Sequence, residues 1–379
     1  MLKNYREHHI LSIFAAHEER QAPLDLFLKH YFKAHKAIGA KDRKVIAETV
    51  YGITRWRALL DYLSDKPSSW EKRYRCFLDF SPEQHLADET IPLHVRLSFP
   101  KKLFELLKEG LAEEKAIRFC LASNESAPTT IRVNALKTER SALFSTWNSL
   151  YDLSLCTVAK NGIVFHKRIN LFGLEEFKMG YFEMQDEASQ LIAELVAVVP
   201  GEQVLDFCAG SGGKALAIAP MMQQKGQLYL HDIRLSALAE AKKRLKRAGV
   251  QNAQILSHDA PHKARLKRAM DWVLVDVPCS GSGTLRRNPD MKWRFDAEKL
   301  DLLLTSQRQI FEEACSFVKP GGKIIYATCS VLPQENALQV DYFEKAFGLT
   351  KLEPPFVSFP QSGGMDGFFG QKFIFSGKR

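Results

Sequence analysis

Five short apolar runs in the second half of the chain, each closing on a polar or small tip, limit most strongly what it can fold into. They are QVLDFCAG (203–210), QLYLHD (227–232), AQILSHD (253–259), DWVLVDVP (271–278) and GKIIYATC (322–329). Stretches with helical spacing lie between them, such as SALAEAKKRLKRAG (236–249) and LDLLLTSQRQIFEEACSFV (300–318). Strand, helix, strand, repeated in this way, predicts a parallel sheet with helices on both faces from about residue 186 onward. Ligands of such sheets bind beyond the carboxyl ends of the strands, so the polar tips are where chemistry is sought.

The N-terminal third follows a different period. GAKDRKVIAETVYGITRWRALLDYL (39–63) sets Ile46, Val50, Ile53, Trp56, Leu60 and Leu63 on one helical face, and KKLFELLKEGLAEEKAIRFCLAS (101–123) resumes the pattern. NESAPTT (124–130) marks a boundary, and TTIRVNAL, GIVFHK and YFEMQ after it are strand-like. With 379 residues the chain suits two or three domains. The expected division is a helical domain over 1–125, a small α/β connector over 126–185 and the parallel-sheet domain over 186–379.

The first strand tip reads DFCAGSGGKALAIA. Gly210, Gly212 and Gly213 there permit a tight turn that opens a helix and lets backbone N–H groups approach a ligand. Asp232 and Asp259 end the next two strands, where an acid can hold ribose hydroxyls or accept from an adenine amino group. A nicotinamide dinucleotide and S-adenosylmethionine both answer to that description, although the turn is not G-x-G-x-x-G. A helix N-cap is the plain alternative for Asp232.

The fourth and fifth tips carry Asp276-Val277-Pro278-Cys279-Ser280-Gly281 and Thr328-Cys329-Ser330. The topology makes these two strands neighbours, so both thiols should face one crevice. The seven cysteines are odd in number and include no Cys-x-x-Cys pair, which argues against a disulfide framework or a cysteine zinc site. Cys76, Cys120, Cys156 and Cys315 read as core thiols. A thiol, a carboxylate and a methyl donor together suit C5 methylation of a pyrimidine. Thiolate addition at C6 makes C5 nucleophilic, and a carboxylate such as Asp276 could protonate N3 if burial raised its pKa.

The formal charge is +9, concentrated in AKKRLKR (241–247), HKARLKR (262–268) and RRNPDMKWR (286–294). One such cluster alone is usually a solvated helix face; three in one region favour a polyanion such as a nucleic acid. MLKNYREHHI lacks the apolar core of a secretory signal and no run reaches membrane-spanning length, so the expected location is the cytoplasm, with no membrane partner.

DVPCSGSGTLRRNPDMKWR, YATCSVLPQEN, FEMQDEASQLIAELVAVVPGEQVLDFCAGSGGK and MDGFF together resemble the RsmB/Sun-type (NOL/NOP/Sun) RNA cytosine-5 methyltransferases. The resemblance covers most of the chain. It implies a Rossmann-like class I methyltransferase domain with a mostly parallel seven-stranded sheet, preceded by an all-α NusB-like domain and an RNA-binding connector. Cys329 maps onto the attacking nucleophile and Cys279 onto the residue that assists product release. S-adenosylmethionine contacts map onto Cys208, Ala209, Gly210, Ser211, Gly212, Gly213, Lys214, Asp232, Asp259 and Asp276. Expected RNA contacts are Arg132 and Asn134 in the connector and Arg286, Arg287, Lys292, Trp293 and Arg294 after Cys279. The helical domain favours small-subunit ribosomal RNA as substrate; transfer RNA and a non-catalytic assembly factor are the alternatives. A monomer without metal is expected. Two departures stand out: CAGSGGK where the family has Cys-Ala-Ala-Pro-Gly-Gly-Lys, and a C-terminus, DGFFGQKFIFSGKR, that does not read as a plain last strand directly after the Phe pair.

Overall fold

The computed structural model describes residues 4–20, 22–257 and 263–376. Two compact units emerge: Met1–Ser126 together with Thr284–Ala297, and Ala127–Gly283 together with Glu298–Arg379.

The first unit is helical. Its core joins Ile10, Ile13 and Phe14 of the helix Tyr5–Arg20 to Ile46, Val50 and Ile53 of the helix Ala40–Arg55. The apolar face expected over 39–63 is present but is carried by two helices. The chain breaks at Trp56 (φ −101°, ψ 18°) and resumes as Arg57–Leu63, with Leu60 fully buried. Phe14 stacks on Trp70 at a centroid separation of 4.1 Å.

The second unit holds two sheets. Strands β1 (Thr129–Val133), β2 (Leu153–Leu155), β3 (Gly162–Phe165) and β4 (Phe182–Met184) form an antiparallel sheet in the order β2-β3-β1-β4. Trp147, from the helix Arg140–Trp147, is buried against Phe165 and Phe182. The larger sheet comprises β5 (Gln203–Asp206), β6 (Gln227–His231), β7 (Ala253–Leu256), β8 (Met270–Asp276), β9 (Val318–Thr328), β10 (Leu349–Val357) and β11 (Phe369–Phe375), ordered β10-β11-β9-β8-β5-β6-β7. Strands β5 to β9 pair in parallel, while β11 pairs antiparallel with β9 and with β10.

All five apolar runs of the sequence became the parallel strands. The residues that alternate along them feed two cores: Val204, Leu228, Leu230, Trp272 and Leu274 into one, Leu205, Val273, Val275, Ile324 and Tyr326 into the other. Burial on both faces is why these strands read as nearly continuous apolar runs. The C-terminal expectation is corrected. A strand does begin at the second Phe of the pair, because Phe369, Phe373 and Phe375 are buried against the core while Lys372, on the opposite face, pairs with Glu353. That period of two was masked by the polar residues between the phenylalanines.

Candidate active site

The site forms at the carboxyl ends of β5, β6, β8 and β9, all within the second unit. Strand β5 runs out at Asp206, and the Gly-rich turn follows. Gly210 (φ +55°) and Gly212 (φ +80°) take left-handed backbone that favours glycine, and Gly212 starts the helix Gly213–Ile218. A Cβ at Gly213 would meet nothing within 4 Å, so the turn faces open space where a ligand can approach the backbone. Asp232, at the end of β6, accepts from the Gly210 amide (2.8 Å) and from Arg234 through its amide, Nε and Nη2. Burial works against its charge, but these bonds outweigh that and hold the carboxyl below its usual range. It is therefore no mere N-cap: it ties the Gly-rich turn to the next strand. Ile233, beside it, is 75% exposed, an apolar surface next to an acid at the place a nucleoside would lie.

Lys214, buried in the first turn of the helix after the glycines, is ion-paired with Asp276 at the end of β8. Burial opposes its charge, yet Asp276 and Asp206 overcome it and raise the ammonium above its usual value. Asp206 is 1% exposed and neither of its oxygens makes a hydrogen bond. Desolvation pushes it up to about 7, with Asp276 adding to the rise against the pull of Lys214; the Ala215 amide also pulls downward but falls short of bonding geometry. A buried orphan carboxylate beside a Gly-rich turn, an acid at the next strand end and an apolar exposed neighbour fit S-adenosylmethionine, which carries both a cationic amino-acid moiety and an adenosine.

Strands β8 and β9 lie side by side with Asp276 opposite Ala327. The chain leaving β8 bonds back through the Val277 amide to the Ala327 carbonyl (3.0 Å). The two cysteines meet there, with Cys279 Sγ 3.2 Å from Cys329 Sγ and both half-buried. The bond to Cys329, then burial, then the charges of Cys329 and Glu335 push the Cys279 thiol well above its usual range. The Gly283 amide donates to the Cys329 carbonyl (2.9 Å), and the Gly367 amide donates to the Gly283 carbonyl (2.9 Å). Gly283 and Gly367 touch so closely that a Cβ on Gly283 would lie 2.0 Å from the Gly367 carbonyl oxygen. Asp366 in turn donates its amide to Asp186, which N-caps the helix Glu187–Glu194. The separated sequence motifs thus brace one pair of thiols.

The sequence profile of the 16S rRNA methyltransferase RsmB/F family matches residues 193–374. A probable ribosomal RNA small subunit methyltransferase B from Synechocystis is 34% identical over 268 residues, 68% of this chain and 59% of that protein. The ribosomal RNA small subunit methyltransferase B of Vibrio vulnificus is 30% identical over 77% of this chain and 70% of its own length. The chain belongs to the RsmB/F methyltransferase family. It spans about three fifths of the Synechocystis relative. In fold it matches the crystal structure of PH0851, with a TM-score of 0.81 at 22% identity over 98% of this chain and 99% of that one.

Within this family member the structure brings Cys208 to Lys214, Asp232, Asp276, Cys279 and Cys329 to adjoining strand ends, as expected. Asp259 lies outside the described residues. Asp276, expected as a proton donor near N3 of the base and as a cofactor contact, is the ion-pair partner of Lys214. The RNA contacts need correction. Arg132 is buried and donates to Gln185 (2.7 Å) and to the Leu216 carbonyl (2.7 Å), and Asn134 donates to the Gly180 and Ala248 carbonyls (2.9 Å each). They tie the small sheet to the helices of the large one. In the helical unit Arg286 and Lys292 are 2% and 1% exposed. Lys292 donates to the Arg55 carbonyl (2.8 Å) and Asn124 Oδ1 (2.7 Å) over the Phe99 ring, and Trp293 Nε1 donates to the Thr54 carbonyl (2.6 Å). Those donors saturate orphan carbonyls near the end of the helix Ala40–Arg55, so they are not available to phosphates. Arg287 is half-buried and Arg294 is exposed, pairing with Asp290 at 2.8 Å.

Sequence reading missed Asp206, Ser282, Gln307 and Glu335. Asp206 looked like the last residue of a strand, and Glu335 stood in the quoted YATCSVLPQEN without a role. Its neighbours Gln334 and Asn336 are polar, so the sequence offered no sign that Glu335 would be buried.

Proposed function

We propose that the chain methylates C5 of a cytosine in RNA, with small-subunit ribosomal RNA as the substrate, as in the names of its curated relatives. Bound S-adenosylmethionine would supply the methyl group, held by the Cys208–Lys214 turn and Asp232. The pair of thiols 3.2 Å apart at the ends of adjacent parallel strands carries this reading. A single structural cysteine would not need a partner at a strand-end crevice, and one nucleophile alone would not need a second thiol.

Cys329 adds through its thiolate at C6 of the base, which gives C5 enamine character; after methylation, loss of the C5 proton expels the thiolate. Cys279, held protonated, assists that release: its proton passes to the departing Cys329 sulfur as the C5 proton passes to Cys279, so the proton lost from C5 stays on the pair of thiols. The Lys214–Asp276 pair lies at the same strand ends and orients the polar edge of the base. The target base must be unstacked to reach the crevice, which suits a loop or a bulge in RNA. Arg287 and Arg294 remain candidates for the phosphate backbone, and the site of action would be the cytoplasm.

The test is the Cys279→Ala variant, purified from its host and run on a denaturing gel. An RNA–protein adduct is expected, because attack by Cys329 proceeds and release does not; it should vanish in Cys279→Ala/Cys329→Ala. Sequencing the attached RNA identifies the substrate and separates ribosomal from transfer RNA. No adduct, together with no methyl transfer to total RNA by the wild type, would favour a non-catalytic assembly factor.

A further inference from the structure

Beside the loop that bears Cys279 lies a carboxylate that the proposed chemistry has not used. Glu335 is fully buried and no cation pairs with it among the hydrogen bonds and ion pairs of the described residues. Its Oε1 accepts from the Ser280 amide (2.8 Å) and from Gln307 Nε2 (2.9 Å), and its Oε2 accepts from the Ser280 hydroxyl (2.5 Å). Gln307 is oriented by its other bonds: its Oε1 accepts from Tyr326 and Gln339, so its amide nitrogen is the end that faces Glu335. Each of these partners presents a hydrogen to Glu335, which is the arrangement that stabilises an ionised carboxylate without a counter-cation.

The carboxylate is placed asymmetrically. Two of its bonds go to Ser280, the residue after Cys279, and its charge acts on the Cys279 sulfur. Cys329, by contrast, lies within electrostatic reach of the Lys214 ammonium. Among the described residues the other groups acting on or near Cys279 include the Cys329 thiol just after β9, the Tyr326 hydroxyl of β9, the Gly281 amide on its own loop, and the mutually paired Lys214 and Asp276 at the strand ends. The hydroxyls of Ser282 and Ser330 bond each other at 2.9 Å and keep the two loops in register.

We infer that Glu335 is a positioning residue that divides the labour between the two cysteines. It clamps the loop bearing Cys279 and, as a buried anion on that side, keeps Cys279 the protonated member of the pair, leaving Cys329 to act as the thiolate. The inference rests on the two-thiol reading of the site, but its test needs neither RNA nor methyl donor.

The experiment is the pH profile of alkylation by iodoacetamide, read residue by residue by mass spectrometry. Cys279 is followed in a Cys329→Ala background, and Cys329 in a Cys279→Ala background, each with and without Glu335→Gln. The substitution keeps the volume, and the Ser280 hydroxyl can accept from the new amide where it donated before, so the fold should persist; a melting curve checks this. With Glu335→Gln the Cys279 profile should move to lower pH and its alkylation at pH 8 should quicken several-fold, while the Cys329 profile stays in place. Glu335→Asp, which retains the charge, should restore most of the resistance of Cys279. An unmoved Cys279 profile, or equal shifts at both cysteines, would overturn the inference. In the protein without substitution at 335, Cys329 should be alkylated before Cys279; the opposite order also overturns it. A positive result here with no RNA adduct in Cys279→Ala would instead defeat the catalytic reading alone.

Discussion

Asp206→Asn should make the ligand-free protein more stable at alkaline pH. Asp206 is buried at the end of β5 with both oxygens unbonded, and its carboxyl is pushed from 3.8 up to about 7. The unfolded chain gives up this proton near pH 4, whereas the fold retains it to about pH 7. Between those values the native state binds the extra proton, so stability falls as pH rises and levels off above 7. Three units at 1.36 kcal/mol each give an upper bound of about 4 kcal/mol, and water entry on ionisation would reduce it. Asparagine cannot ionise and removes that slope. Thermal melting of the wild type and Asp206→Asn at pH 5 and pH 8 is the assay. The two should melt alike at pH 5, and the variant should melt several degrees higher at pH 8. Parallel pH dependences would refute the reasoning, since they would mean that Asp206 titrates as an ordinary carboxylate. A gain in stability with weaker cofactor binding is the trade expected where a strained group is kept for function.

The other expectations concern the braces around the site and the helical unit. Gly283→Ala places a Cβ 2.0 Å from the Gly367 carbonyl oxygen. It should separate the Cys279 loop from the C-terminal Gly-Phe-Phe segment and abolish methyl transfer while circular dichroism stays close to wild type; retained activity would show that this contact does not set the loop. Lys292→Ala removes a donor from the Arg55 carbonyl and from Asn124 Oδ1 and opens a cavity over Phe99, so the helical unit should lose about 2–4 kcal/mol. The salt dependence of RNA binding should be unchanged in Lys292→Ala, whereas a phosphate contact would lower the slope by about one.

Much of the architecture was legible because apolar periodicity is a local property. The runs around Val204, Leu228, Val273 and Ile325 announced buried parallel strands, and the tips Asp232, Asp276, Cys279 and Cys329 fell at strand ends because the chain must turn there. The Gly-rich turn needed left-handed backbone at Gly210 and Gly212, and glycine advertises that need in the sequence. The pairing of β8 with β9 followed from topology, and with it the meeting of two thiols fifty positions apart.

What tertiary structure decided was the fate of polar side chains. RRNPDMKWR has the composition of a phosphate-binding run, yet Arg286 and Lys292 are buried in the helical unit, where Lys292 and Trp293 donate to the helix-end carbonyls of Arg55 and Thr54. Lys242, Lys243 and Lys246 of AKKRLKR stay exposed, while Arg244 and Arg247 of the same cluster turn in to the buried Glu183 at 3.0 and 2.5 Å. Asp206 and Glu335 are both buried acids; one is left without a donor and the other meets three. Sequence fixes which charges a chain carries and, through its period, which backbone segments pair. Whether a given charge meets water, a carbonyl or nothing depends on residues far away along the chain, and only the packed structure brings those together.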